Sequence, residues 1–312
     1  MNDLLAKLSA AHFGAFTAQD SYRCGYHRES LSRLVRKGSA LRVGPSAYVD
    51  RTRYEAASPE RRHEMATRAV VRTFDGRVYA SHYSALTMMS LPVFGAQLDH
   101  IHVARAVGSL SRRRAGLSIH TAYGSNAGLL IGRTPSVTPA LAILGAAMTC
   151  GVETGVVAAD AALASGKTTA EDLQTWLRRL ARHPEVTSAR HTVQLADARS
   201  ESVGESRTRL LLNAIGLRPT PQVEIRDRQG RLVGRVDFLL ERERLVIEFD
   251  GLMKYDGAHG REALAAEKLR EDRIRALGYE FVRLTWADLA RPAMVERLIR
   301  LAQSRTRARA AG

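Results

Sequence analysis

The chain has 312 residues, a formal net charge of +15 and 45% apolar residues. That length predicts two or three domains with ordinary apolar cores. The 47 Lys and Arg against 32 acids favour a polyanionic partner, nucleic acid first. Two isolated cysteines, Cys24 and Cys150, make neither a disulfide framework nor a zinc site, which predicts a cytoplasmic protein. The opening MNDLLAKLSAAHFGAF lacks the pattern of a signal peptide. The Ala- and Gly-rich span Val137 to Gly166 carries Glu153 and Asp160, so it reads as buried helices and not as a membrane span.

Leu4, Leu5 and Leu8 mark a short first helix. Thr17 can cap a second, which Gly25 ends. A third runs from about His27 to Lys37, with Leu31, Leu34 and Val35 facing inward. Its outer face offers Arg28, Ser30, Ser32, Arg33, Arg36 and Lys37, the donor types that contact phosphates and guanine edges in a major groove. ALRVGPSAYV, Ala40 to Val49, reads as a hairpin turning at Gly44-Pro45, with Arg42 on it. The pattern is a winged helix-turn-helix. Leu31, Leu34, Val35, Gly38 and Tyr48 give it a resemblance to the N-terminal domain of AbiEi-type antitoxins of type IV toxin–antitoxin systems. That resemblance implies a DNA-binding regulator with a cognate toxin as possible partner.

Pro59 to Phe74 is a basic amphipathic helix. Val78 to Gly95 predicts a short strand and a capped helix closed by Pro and Gly. Its Ser84, Ala85, Leu91 and Pro92 are similar to a run in the same antitoxin family. His82 within it reads as a structural helix-end histidine ahead of a catalytic one. Asp99 to Val103 is a strand with His100 and His102 on one face, a spacing that can bind metal. With no cysteine or acid cluster nearby to complete a set, the two read as structural or phosphate-facing. Ser109 to Arg114 is a basic loop. Two Ala-rich helices, Thr138 to Cys150 and Val152 to Ala164, precede a third at Ala170 to Arg182 anchored by Trp176 and Leu180.

Near Ser202 the pattern changes. A helix at Glu205 to Ile215 precedes strands at Val223 to Arg226, Arg235 to Leu240 and Leu245 to Asp250. Alternation puts Val246, Glu248 and Asp250 on one strand face, the two acids about 7 Å apart. Asp237 sits in the strand before, between Val236 and Phe238. Acids on neighbouring strands of an apolar sheet resist ionising, and a hard divalent cation is one remedy. A charged helix from Arg261 to Leu277, a strand from Tyr279 to Thr285 and an amphipathic helix to about Leu301 follow. The Arg-rich end reads as frayed.

This order of motifs resembles the PD-(D/E)XK nuclease superfamily, in the branch similar to very-short-patch-repair endonucleases. The resemblance rests on Glu205, Asp237, Glu248, Asp250, Gly251 and Lys254. It implies Mg²⁺ or Mn²⁺ on Asp237 and Glu248, with Glu205 acting through the metal's water shell and Asp250 as ligand or orienter. Asp250 occupies the slot where the family carries Lys, so Lys254 would stand in, holding the attacking water or the phosphate. Arg270, Arg273 and Arg283 could steer the nucleic-acid backbone or pair with Glu267, Glu271 or Asp272.

The chain is thus expected to be α/β, α+β overall. Residues 1–55 form a winged helix-turn-helix, 56–200 a mainly helical middle, and 201–312 a restriction-endonuclease-like mixed sheet flanked by helices. Two functions stay open: a metal-dependent DNA endonuclease recruited by the winged helix, and an antitoxin-like repressor on an inactive nuclease fold. An RNA-directed nuclease shares the chemistry. A palindromic DNA site would call for a homodimer.

Overall fold

The first helix, α1 (Asp3–Ala11), starts where the Asn2 side chain accepts the Leu5 N–H at 3.0 Å, satisfying one of the unpaired donors of the first turn. Strand β1 (Ala15–Thr17) leads into α2 (Ala18–Arg23). Thr17 Oγ1 accepts the Asp20 N–H at 3.0 Å, and Asp20 accepts the Thr17 N–H at 2.9 Å, a reciprocal capping box. Helix α3 (Arg28–Arg36) follows, then β2 (Ala40–Gly44) and β3 (Ala47–Asp50). The three strands pair antiparallel in the order β1-β3-β2. This is a winged helix-turn-helix arrangement. The expected two-stranded wing gains β1 as a third strand.

The structure, a computed structural model, describes residues 1–251 and 258–311. Its chain divides into two units, Met1–Ala196 and Asp197–Gly312. The head, which patterning alone sets apart at residue 55, shares its core with the segment after it. Successive strand residues point to opposite faces. Phe16 and Tyr48 stack at 5.7 Å on the side of the head's own helices. Ala15, Ala47 and Val49 face the other way, into the large core of the first unit.

That core is organised by α5 (Pro59–Thr73), which comes after the short α4 (Arg51–Glu55). Ser58 caps α5 and Pro59 occupies its first position, where a missing N–H costs nothing. Arg72 of α5 grips Asp20 with two bonds, 2.6 and 2.8 Å. Arg68 pairs with Glu64 at 2.8 Å, and donates to the Ile131 carbonyl and Thr134 hydroxyl. Arg61 also reaches Glu64.

Beyond α5 come β4 (Val78–Ala80), α6 (His82–Met88), β5 (Ile101–Arg105), β6 (Arg112–Arg114), β7 (Leu117–His120), β8 (Gly128–Ile131) and β9 (Thr134–Val137). The strands form a six-stranded mixed sheet in the order β6-β7-β5-β4-β9-β8. The helical middle therefore also holds a sheet, of which patterning foretold only β4 and β5. The expected basic loop at Ser109 to Arg114 contains the exposed strand β6. The missed strands are three or four residues long, too short for alternation to register. Helices α7 (Pro139–Cys150), α8 (Val152–Ala164), α9 (Ala170–Arg179) and α10 (Val186–Leu195) close the unit. Gly155 of α8 admits the close approach: a Cβ there would lie 2.6 Å from that of Ala147.

The second unit opens with α11 (Val203–Ala214), capped by Ser202. Strands β10 (Thr220–Arg226), β11 (Leu232–Leu240) and β12 (Leu245–Asp250) are antiparallel neighbours. Helix α12 (Ala258–Ala276) crosses to β13 (Glu280–Thr285), which runs parallel to β12. The short α13 (Trp286–Leu289) and α14 (Pro292–Ala311) end the chain. Both sheet faces are covered: Leu245 and Ile247 join one core with α11 and α14, and Val246 joins another with Ile274 of α12. The chain end expected to fray continues α14 to Ala311.

Burial works to raise the Asp20 carboxyl, but Arg72 and the Thr17 N–H and hydroxyl outweigh it and hold Asp20 below its ordinary value. Asp20→Ala should cost the first unit about 3 kcal/mol, the scale for removing one partner of a buried pair. Urea unfolding followed through Trp176 in a Trp286→Phe background measures this. The Asp20 contribution is present above the ordinary carboxylate value and lost as pH falls through the lower folded one, so the gap between variant and wild type should close below about pH 4.

Candidate nucleic-acid interface and acidic cluster

Helix α3 buries Leu31 and Leu34 and leaves Arg28, Ser32, Arg33, Arg36 and Lys37 exposed. Among the described residues no carboxylate pairs with any of these bases. Ser30 and Ser32, expected as nucleic-acid contacts, are engaged locally. The Ser30 hydroxyl accepts the His27 N–H at 2.6 Å, and the Ser32 hydroxyl donates to the Arg28 carbonyl at 2.9 Å. The cationic side chains are therefore the helix's free donors. Arg42 on β2 is exposed, its Nε donating to the Gly44 carbonyl at 3.2 Å.

The acids of the second unit meet where β11 and β12 part. The β11–β12 ladder runs from Leu240↔Leu245 to Phe238↔Ile247 and stops. Past that point the Asp237 carboxylate, in place of a backbone carbonyl, accepts the Phe249 N–H at 2.8 Å. Glu205, in the first turn of α11, accepts from the Glu201 N–H, the Ser202 hydroxyl and the Gln222 amide at 2.9–3.0 Å. Gly204 permits this placement, because a Cβ there would fall 1.9 Å from the Phe249 ring. Burial, with the neighbouring Glu205 and Glu248, raises the Asp237 carboxyl to about 6 against the pull of Phe249 N–H and Arg270. The sequence argument that these acids resist ionising applies to Asp237.

Glu248 has a different partner from the one expected. It is buried, Arg270 donates to it at 2.8 Å, and Arg283 lies 3.4 Å from its other oxygen. Arg283 also pairs with Glu267 and Glu271 at 2.7 and 2.8 Å, so the ion-pair reading of that arginine applies. Among the described residues, no three carboxylates bring one oxygen each within 4.8 Å of one another. This donor set fits an ion-paired cluster better than a divalent ion. Asp250 stands at the end of β12 opposite Thr285 of β13. Lys254 lies outside the described residues. Gln222, with φ of +56°, and the Arg270 partnership were not legible in the sequence, since neither forms part of a local motif.

The histidines also gather. His82, His102 and His120 come from α6, β5 and β7, and one nitrogen of each lies within 4.8 Å of the others. Pattern reading noticed His82 and His102 but not their meeting, because the β5–β7 pairing that delivers His120 was invisible to it.

The head thus has a winged helix-turn-helix architecture with an exposed basic helix. A family model described as a transcriptional regulator, AbiEi antitoxin, matches residues 3–49, which is the head alone. No curated protein matches the chain. No helix among the described residues is long and apolar enough to cross a membrane.

The raised Asp237 value makes ionisation a cost to the folded state, one that begins as pH rises through about 4 and is complete above about 6. Asp237→Asn keeps an acceptor for Phe249 N–H. It should stabilise the second unit by ~1–3 kcal/mol at pH 8 and by nothing near pH 4. Urea unfolding through Trp286 in a Trp176→Phe background reads the difference.

Proposed function

We propose that the chain is a DNA-binding transcriptional regulator of the AbiEi-antitoxin kind, with α3 as its recognition helix and Arg42 on the wing beside it. The observation that supports this most is the exposed basic face of α3, without carboxylate partners, in a head whose residues match a regulator family. Arg28, Arg33, Arg36 and Lys37 can meet phosphates and guanine edges without first breaking an ion pair. On this reading the second unit is a binding module with an ion-paired acidic cluster, and the cognate toxin is its natural partner. A two-fold operator would require a homodimer.

Gel shifts on DNA from the chain's own promoter region test this. Arg33→Ala and Arg36→Ala should each weaken binding by about 1–3 kcal/mol if they read bases. If they contact phosphate, each should flatten the salt dependence by about 0.9 in log–log slope. Unchanged affinity and slope in the double variant would remove α3 as the reading element.

A second reading, metal-dependent DNA cleavage at Glu205, Asp237, Glu248 and Asp250 with Mg²⁺ or Mn²⁺, draws on the raised value of Asp237. Supercoiled DNA incubated with either metal separates the two. The regulator reading expects binding without nicking, unchanged in Asp237→Ala. Nicking by the wild type that is lost in Asp237→Ala and Glu248→Ala, with binding retained, would establish the enzyme.

A further inference from the structure

The middle of the chain, expected to be mainly helical, holds a built cluster of imidazoles. His82 is fully enclosed at the N-terminus of α6, with φ of +53°, a backbone conformation that non-glycine residues seldom adopt. Its Nδ1 lies 3.1 Å from the Ser81 hydroxyl. Gly145 of α7 makes room for the ring, since a Cβ there would approach its Cγ to 3.0 Å. The ring stacks on His120 with centroids 3.8 Å apart, and His120 Nε2 faces His102 Nδ1 at 2.8 Å.

The same unit shows what a purely structural histidine looks like. His63 has both nitrogens occupied by partners of the usual kind, the Leu98 carbonyl at 2.7 Å and the Ser84 hydroxyl at 2.8 Å. His102 and His120 meet each other instead, with no carboxylate or carbonyl between them. Burial is the main reason their values drop, to about 3 and about 4, and His82 falls well below its ordinary value.

We propose that His82, His102 and His120 form a three-histidine site for a divalent transition metal of the zinc class. Three nitrogen donors without carboxylate suit Zn²⁺ or Co²⁺ and not Mg²⁺. Metal–nitrogen bonds of ~2.0–2.1 Å need donor nitrogens spaced somewhat wider than the present 2.8 Å contact, a small parting of rings already gathered within 4.8 Å. Ser81 at Nδ1 leaves His82 Nε2 as the donor and holds the ring, the usual task of a second partner on a ligating imidazole. Three protein ligands leave a fourth position open. Beside these ligands lies a cavity of about 670 Å³ that His102 and His120 line together with Arg112, Arg113 and Tyr123. A ligand there would be a small anion or an oxygen donor. The site does not depend on what the head binds.

The test uses the full, untagged chain, titrated with Co²⁺ and Zn²⁺ alone and followed by visible absorption and by metal content after dialysis. The expected result is one ion per chain, with Co²⁺ d–d bands of a four- or five-coordinate nitrogen site. His102→Asn and His120→Asn should each weaken binding more than about tenfold, with circular dichroism unchanged. His82→Asn, which keeps a residue tolerant of positive φ, should do the same. His191→Asn, an exposed histidine of α10, should leave binding intact. Absence of stoichiometric binding to the folded wild type, or equal binding by the His102→Asn/His120→Asn double variant, would overturn the proposal.

Discussion

Glu64 and Arg68 sit one turn apart on α5, each with a side chain only 3% exposed, and the first unit is arranged around their pairing. Two charges taken from water recover that cost only if every remaining donor and acceptor is used. Arg68 meets this condition by reaching the Ile131 carbonyl and the Thr134 hydroxyl, and by lying 4.0 Å over the Phe13 ring. One guanidinium thus ties α5 to the β8–β9 hairpin and to the turn after α1. Asp20 and Arg72 add a second tie one turn further along the helix. Such pairs contribute little net stability compared with an apolar substitute, but they tolerate few alternative alignments. Their consequence is geometric: the winged head is seated on α5, and the basic face of α3 is left exposed to solvent.

The two units use charge in opposite ways. On α3 the bases stand exposed with their charge unmatched, which leaves their binding capacity for a polyanion. In the second unit Arg270, Arg275 and Arg283 are absorbed by Glu248, Glu271, Glu267 and Glu280. Glu248 is thereby neutralised by bases of its own unit. Asp237 keeps the electrostatic stress that its place on an apolar sheet predicts, since it is buried near Glu205 and Glu248 with a backbone N–H as its hydrogen-bond donor. Desolvation of that one carboxylate is the main source of the tension.

The histidines of the middle region follow another logic. His63 and Ser84 form a closed, fully bonded pair within the core, with Ser84 also accepting the His102 N–H at 2.9 Å. That network sets the backbone of β5 at His102. Its side chain is thereby presented to His120 on the adjacent parallel strand, and α6 brings His82 from above with a strained backbone. Strain at a buried polar residue is tolerated only where the surroundings impose it, and here Gly145 and Ser81 both shape the pocket for the imidazole.

What the sequence determined by itself lies within a few residues of each signal. Thr17 marks a true helix start, and Gly38 lies at +76° just past α3. The basic face of α3 could be read from spacing, as could the order of Glu205, Asp237 and Glu248 along the second unit. Caps and periodicity act over one or two helical turns, so they are written locally. Tertiary structure alone decided the pairings. Strands of three or four residues such as β6 to β9 carry no periodic pattern of their own and exist because neighbours distant in the chain supply their hydrogen bonds. The same distance separates Arg270 from Glu248, Gln222 from Glu205 and His120 from His82 and His102. Whether an acid is bare or neutralised, and whether a histidine is alone or in a cluster, depends on which strands lie side by side, and no local pattern in this chain states that.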